Sequence, residues 1–290
     1  MGEIAALATS FCWSLNSIQF TFAGRQAGSR VVNRVRLALA VVFLSLSHVL
    51  LYGRLWPVEA ELYRWGWLGL SGVIGLIVGD GSLFQAFLLI GPRRSMMLMT
   101  LVPVISTLAA WMLLGEVLLP VQIAAILITV AGVAWVVSER QTETETPDHD
   151  PANRALGVLL GLGGAIGQAL GLVGDFPALS ATVIRMTVAA AIIWLLAVIR
   201  GQVASTWQAL RDRRTRLWLT GGAFIGPFVG VWLSLIAVRT APVGIASTLM
   251  SLSPIILIPF DHWVFDARIT VRSIVGTAVA LTGAALIFVT

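Results

Sequence analysis

Ten long apolar runs constrain this chain more than any other feature. They extend from Ile4 to Ala23, Val31 to Tyr52, Trp65 to Ile90, Ser95 to Leu114, Val121 to Val137, Ala155 to Val173, Ala178 to Ile199, Leu217 to Val238, Val243 to Phe260 and Ser273 to Val289. A helix needs about 20 apolar residues to cross the ~30 Å hydrocarbon layer of a bilayer, and these runs have that order of length. Apolar side chains make up 58% of the 290 residues and charged ones only 11%, with a mean hydropathy of +0.91. Counting glycine, the apolar share is roughly two-thirds against about half in soluble domains. A water-soluble fold of this size could not hide that much apolar surface. Barrel strands alternate polar and apolar residues, and these runs do not. The expectation is an all-α integral membrane protein with ten transmembrane helices.

Charge placement sets the orientation. All 19 basic residues are Arg, and the pI near 10.9 would suggest nucleic acid if they were clustered on a soluble surface. They sit instead in short loops between runs, which is how a membrane protein is oriented by the positive-inside rule, so no nucleic-acid partner is expected. Fifteen belong to one set of alternate loops, whereas Arg54, Arg64 and Arg239 belong to the other and Arg185 lies within a run. This count places the polar 141–151 stretch in the cytoplasm and both termini outside. The single Cys12 offers neither a disulfide framework nor a metal cluster. The first run has no basic start and carries Ser10, Ser14, Asn16, Ser17 and Gln19, so it reads as a retained helix and not a signal peptide.

The acidic, hydrophilic stretch from Ser138 to Pro151 cannot form a core and reads as a flexible connector; His149 within it is a solvated linker histidine. It divides the chain into a five-helix unit at 1–137, a linker at 138–153 and a second five-helix unit at 154–290. The units share punctuation. Trp67, Gly75, Gly79, Pro103 and Gly132 recur 151 residues later as Trp218, Gly226, Gly230, Pro254 and Gly283, and Val35-Arg36-Leu37-Ala38 parallels Ile184-Arg185-Met186-Thr187. An odd number of spans per unit turns the second one upside down, giving two inverted five-helix repeats. That architecture is the one secondary transporters use, with the substrate near the midplane between repeats.

The segment Pro103-Val104, Leu113-Leu114-Gly115-Glu116, Gln122 and Gly132 resembles the signature of the drug/metabolite transporter superfamily, EamA type. So does the run from Thr240 to Pro254 with Arg268-Ile269-Thr270 and Gly276. The resemblance covers nearly the whole chain as two tandem EamA units. It implies transport of small organic solutes across the bacterial inner membrane by alternating access, commonly as export coupled to an ion or proton gradient. No cofactor or resident metal is expected, the surroundings are a lipid bilayer, and the expected state is a monomer or weak homodimer. Two departures stand out. Glu116 has no acid at its matched position, Ala267. The family also commonly places both termini inside, opposite to the charge count.

The candidate substrate or proton-binding residues are Asp80, Gln85, Asn16, Arg185, Gln168, Trp13 and Trp232. Asp80 lies roughly 24 Å along the helix from Arg64, in a run of about 39 Å, so it falls within the hydrocarbon. A charge there is costly and marks a functional hypothesis. It either binds a cationic group or proton, or caps a helix broken at Gly79 and Gly81, or pairs with a buried Arg. Gln85 is read as a helix-to-helix hydrogen-bonding residue. Arg36 and Arg185 either grip a substrate carboxylate or, near a helix end, snorkel or pair with an acid such as Asp175. Arg36 is assigned to the second role and Arg185 is left open. Asn16 and Gln168 occupy corresponding places in the first and sixth helices, and Trp13 and Trp232 would stack on an aromatic or cationic solute. Ser10, Ser14, Ser17 and Thr21 form one small polar face suited to packing. Asp261-His262 is either a proton relay or a helix end, and Glu116 a helix-start acid.

Two other classes compete. Gly69-Leu70-Ser71-Gly72 resembles the nucleophile motif of rhomboid proteases, yet none of His48, His149 and His262 stands in the matching base motif, so an enzyme is not expected. A lipid-handling or structural membrane protein would show no saturable flux.

Overall fold

The computed structural model describes residues 1–114, 117, 119–138, 151–170, 177–265 and 269–289. All regular structure among them is helical. Helix α1 (Gly2–Ala27) turns into α2 (Ser29–Tyr52), and the next long helix combines α3 (Leu62–Gly72), a π-helical segment (Val73–Gly79) and α4 (Asp80–Ile90). Then come α5 (Pro92–Met99), α6 (Val102–Leu114) and α7 (Pro120–Val137). The second half holds α8 (Pro151–Leu170), α9 (Ala178–Ile199), the short α10 (Val203–Arg211) and α11 (Arg213–Ala223). A second π segment (Phe224–Gly230), α12 (Val231–Thr240), α13 (Val243–Met250), α14 (Ser253–Phe265) and α15 (Val271–Val289) complete it.

Among the described residues, six helices are long and apolar enough to cross a membrane: Ser29–Tyr52, Leu62–Ile90, Pro120–Val137, Leu179–Ile199, Arg213–Thr240 and Ile245–Phe265, with shorter apolar helices at Ala155–Ala165 and Val271–Ile287. Large apolar side chains such as Leu50, Leu127, Leu195 and Trp263 face outward, as a lipid-facing surface requires and a water-facing one does not. The protein is therefore a multi-pass membrane protein. The tight reversals into α2 and α5 pass through Gly28 and Gly91, at φ 84° and 81°, a region that a Cβ would make strained.

Of the alternatives for Asp80, the helix break at Gly79 and Gly81 does not occur. Helix Leu62–Ile90 runs through by widening into the π segment. The same 151-residue spacing separates Val73 from Phe224 and Gly79 from Gly230, so both π segments fall at one position of the repeated pattern. In the second, Pro227 removes a backbone donor, one reason an ordinary α-helical ladder cannot close. The first lacks proline and holds Gly75 and Gly79.

Packing is reciprocal. Helix α1 lies on α11, the second π segment and α12, while α8 lies on the first π segment and α4; α2 packs on α9, and α7 on α15. In the last pair, a Cβ on Gly132 would strike the backbone of Ala280, and one on Gly283 the backbone of Thr129. These are the same contact made twice, because 151 residues separate Gly132 from Gly283 and Thr129 from Ala280. Small residues let membrane helices approach this closely.

Side-chain contacts gather the Arg-rich loops at one end. Arg34 donates to the Gln202 carbonyl, Thr215 to Gln26 and Arg272 to Ser138, and Arg25 lies over the Phe265 ring. At the other end Gly2 abuts Ala241, and His48 meets the Ser180 hydroxyl.

Candidate functional site

Asn33 on α2 lies against the first π segment, its Nδ2 donating to the Leu76 carbonyl at 2.9 Å and lying 3.5 Å from that of Ile77. Arg36, one turn on, is therefore directed at the end of the same segment. There its Nη2 donates to Asp80 Oδ2 at 2.6 Å and to Asn33 Oδ1 at 3.3 Å. The Arg36 and Asp80 side chains are only 8% and 7% exposed. The Phe84 ring, one turn past Asp80, lies 5.1 Å from the guanidinium carbon and adds a cation–π contact.

Such a pair is weak evidence for stability, since desolvating both ions offsets most of their attraction, but removing either partner strands a buried charge. Asp80 is thus the acid of an ion pair, the buried-Arg alternative for it, and its partner is Arg36, whose structural role is to pair with this acid. The signal for it was present: Asn33 and Arg36 at i, i+3 share a helix face, and Arg36 has a counterpart in Arg185.

Arg185 on α9 is mostly buried and feels the charge of Asp80. Its Nε is enclosed and makes no hydrogen bond among the described residues. Its backbone is pressed against α3, where a Cβ on Gly72 would lie 2.5 Å from the Arg185 carbonyl oxygen. At 1.5 Å rise per residue, Arg36 lies about 10 Å, Asp80 about 15 Å and Arg185 about 21 Å from the Arg-rich ends of their helices. One carboxylate stands between two guanidinium groups along the bundle axis.

The other candidates are elsewhere. Gln85 accepts a hydrogen bond from Ser29 at 2.6 Å, tying α4 to the start of α2. Asn16 packs on Gly226 in the second π segment with its Oδ1 buried and unbonded, and Trp13 lies against Gly230. Trp232 Nε1 donates to Ser47 at 3.0 Å. The side chain of Gln168 lies outside the described residues, as do Glu116, His149 and Asp175. The small polar face of α1 is a packing face: Ser14 donates to the Ser253 carbonyl at 3.2 Å and Ser253 to that of Ser10 at 3.0 Å. Asp261 is buried and faces Arg93 while His262 is exposed, so the two do not point into one relay. Ser71 is 4% exposed, and the glycines beside it serve packing, Gly69 against Val188 and Gly72 against Arg185.

An all-helical membrane bundle with an ion pair enclosed between its helices defines a class of multi-pass membrane protein. Within that class the pattern of the EamA-like transporter family matches residues 1–138 and again 155–289, and the chain belongs to this family of drug and metabolite transporters. No curated protein matches it. A solved structure described only as "Crystal structure of protein" is similar in fold, with a TM-score of 0.59 and 17% identity over 98% of this chain and 95% of that one. The family consists of transporters and not enzymes, and nothing supports the protease reading of Gly69-Leu70-Ser71-Gly72.

Proposed function

We propose that the chain is a ten-span secondary carrier that exports small organic solutes across the inner membrane by alternating access between two inverted five-helix repeats, 1–137 and 154–290, joined by the 138–153 linker. The observation that carries this reading is a broken symmetry in the packing. In the repeat, α2, α4, α5 and α6 correspond to α9, α12, α13 and α14. Helix α2 packs on α4 and α5 on α14, but among the described residues neither α9 with α12 nor α6 with α13 makes a comparable contact. The contacts present are those near the Arg-rich end, and the missing ones belong to the end that holds the termini.

An inverted repeat whose halves adopt different packings is how such carriers close one side while the other is open. With the Arg-rich end cytoplasmic, this is a state closed to the cytoplasm and parted outward, suited to release of an exported solute. The test is a flux screen in proteoliposomes over amino acids, nucleosides, organic cations and organic acids, with and without a pH gradient. Saturable flux of one class is expected. Its absence from folded, correctly inserted protein across the whole panel would overturn the carrier reading in favour of a lipid-handling or structural role.

A further inference from the structure

The repeat gives each half an arginine at the same place, Arg36 and Arg185, but only one acid. Asp80 follows the first π segment; the residue that follows the second is Val231. Arg36 is thus neutralised from within its own half at 2.6 Å, whereas Arg185 shares the same carboxylate at longer range and has an enclosed, unbonded Nε. Val231 packs against the apolar cluster that residues of α2 and α9 build, Val183 and Met186 among them, without α9 and α12 themselves coming into comparable contact among the described residues. The second half therefore repeats the scaffold of an arginine–carboxylate pair and omits the carboxylate. A guanidinium that no carboxylate contacts among the described residues is costly within membrane helices and is kept where it has a use.

We propose that Arg185 is the anchor for an acidic group on the transported solute, and that this group is a carboxylate. The chemistry is given by the pair already formed: a guanidinium in this fold is satisfied by a carboxylate from the residue after the π segment, and in the second half the solute supplies the group that Val231 lacks. A planar guanidinium presents paired donors that match a carboxylate. Arg185 also lies nearer the parted end of the bundle than Asp80 does, where a solute would enter or leave. Asp80, held by Arg36, keeps the site's charge at one net positive, so binding a monoanion brings it to neutrality.

The inference rests on the carrier reading and is tested by binding, which does not require flux. Protein in nanodiscs is unfolded thermally with three probes on one skeleton: 3-phenylpropionate, phenylalanine and phenethylamine. Both carboxylates should stabilise it and the amine should not. Arg185→Gln should weaken the effect by about tenfold or more, as expected for loss of a charge-assisted contact, with Arg185→Lys retaining part of it. Val231→Asp, which restores the internal acid, should also abolish the effect while leaving the protein folded. Stabilisation by the amine alone, stabilisation by carboxylates that survives Arg185→Gln, or none from either carboxylate overturns the assignment. Binding without any flux would count against the carrier reading and leave this site standing.

Discussion

Arg93 on α5 and Asp261 on α14 face each other across the two halves of the chain, Nε to Oδ2 at 3.2 Å, with side chains only 3% and 10% exposed. The pair stands at the Arg-rich end of the bundle, and Arg25 also feels the Asp261 charge. Like Arg36 and Asp80, it holds helices together through charges that water does not reach.

Loss of one partner should therefore cost more than loss of both. Asp261→Asn strands the Arg93 guanidinium, and we expect a destabilisation of about 3–5 kcal/mol, the usual range for a broken buried pair. Arg93→Met combined with Asp261→Leu should recover most of it. Thermal unfolding in detergent reads the difference; equal losses in the single and double variants would mean that the pair is not coupled.

A second contact is steric. Asn16 lies so close to Gly226 that an added Cβ would strike its amide, and Gly222 and Gly230 receive Phe20 and Trp13 one turn to either side. Gly226→Ala should cost about 1–3 kcal/mol, as overpacking commonly does. Asn16→Ala in the same protein should relieve much of that loss. If it does not, α1 is held away from the second π segment by something other than Asn16.

Much of the architecture was legible because membrane helices announce themselves by length, and because a duplicated chain repeats its punctuation. Gly132 and Gly283 were paired from spacing alone, and the structure puts both into one interface. The buried acid was legible too, since Asp80 stands in an apolar run. Its partner was not, because an Arg eight residues from a helix start reads equally well as a snorkelling residue until the neighbouring helix is placed. The π segments were also hidden: Gly79 and Gly81 suggest a break, whereas the helix widens and continues in contact with α8 and α9. For Trp232 the unreadable quantity was rotation about the helix axis, which turns its indole N–H toward Ser47.

At the Arg-rich end, Asp212 caps α11 by accepting the Thr215 amide at 2.7 Å. That bond first, and then the Thr215 hydroxyl, holds the Asp212 carboxyl below its ordinary range. A carboxyl depressed in the folded state stabilises above its unfolded pKa of about 3.9, and the contribution disappears as pH falls through the lower folded value. Hydrogen exchange at residues 213–216 should therefore lose protection in acid below about pH 4, near that unfolded value. Asp212→Ala should show the weaker protection already at neutral pH. Protection that changes with pH equally in the variant would assign the effect to another group.

Asn33 is the residue on which the buried site depends without carrying any charge. Its amide satisfies the Leu76 carbonyl in the first π segment, and its oxygen receives Arg36. Asn33→Ala removes this hydrogen bond to a buried carbonyl, at a cost of about 1 kcal/mol, and frees the guanidinium from one of its two acceptors. Hydrogen exchange across residues 73–80 should speed up while that of α7 and α15, which pack on each other, stays unchanged. A uniform change in both regions would show a merely global loss of stability. A change confined to the π segment would show that this segment is held in its widened form from α2, and that the Arg36–Asp80 pair is positioned by the same side chain.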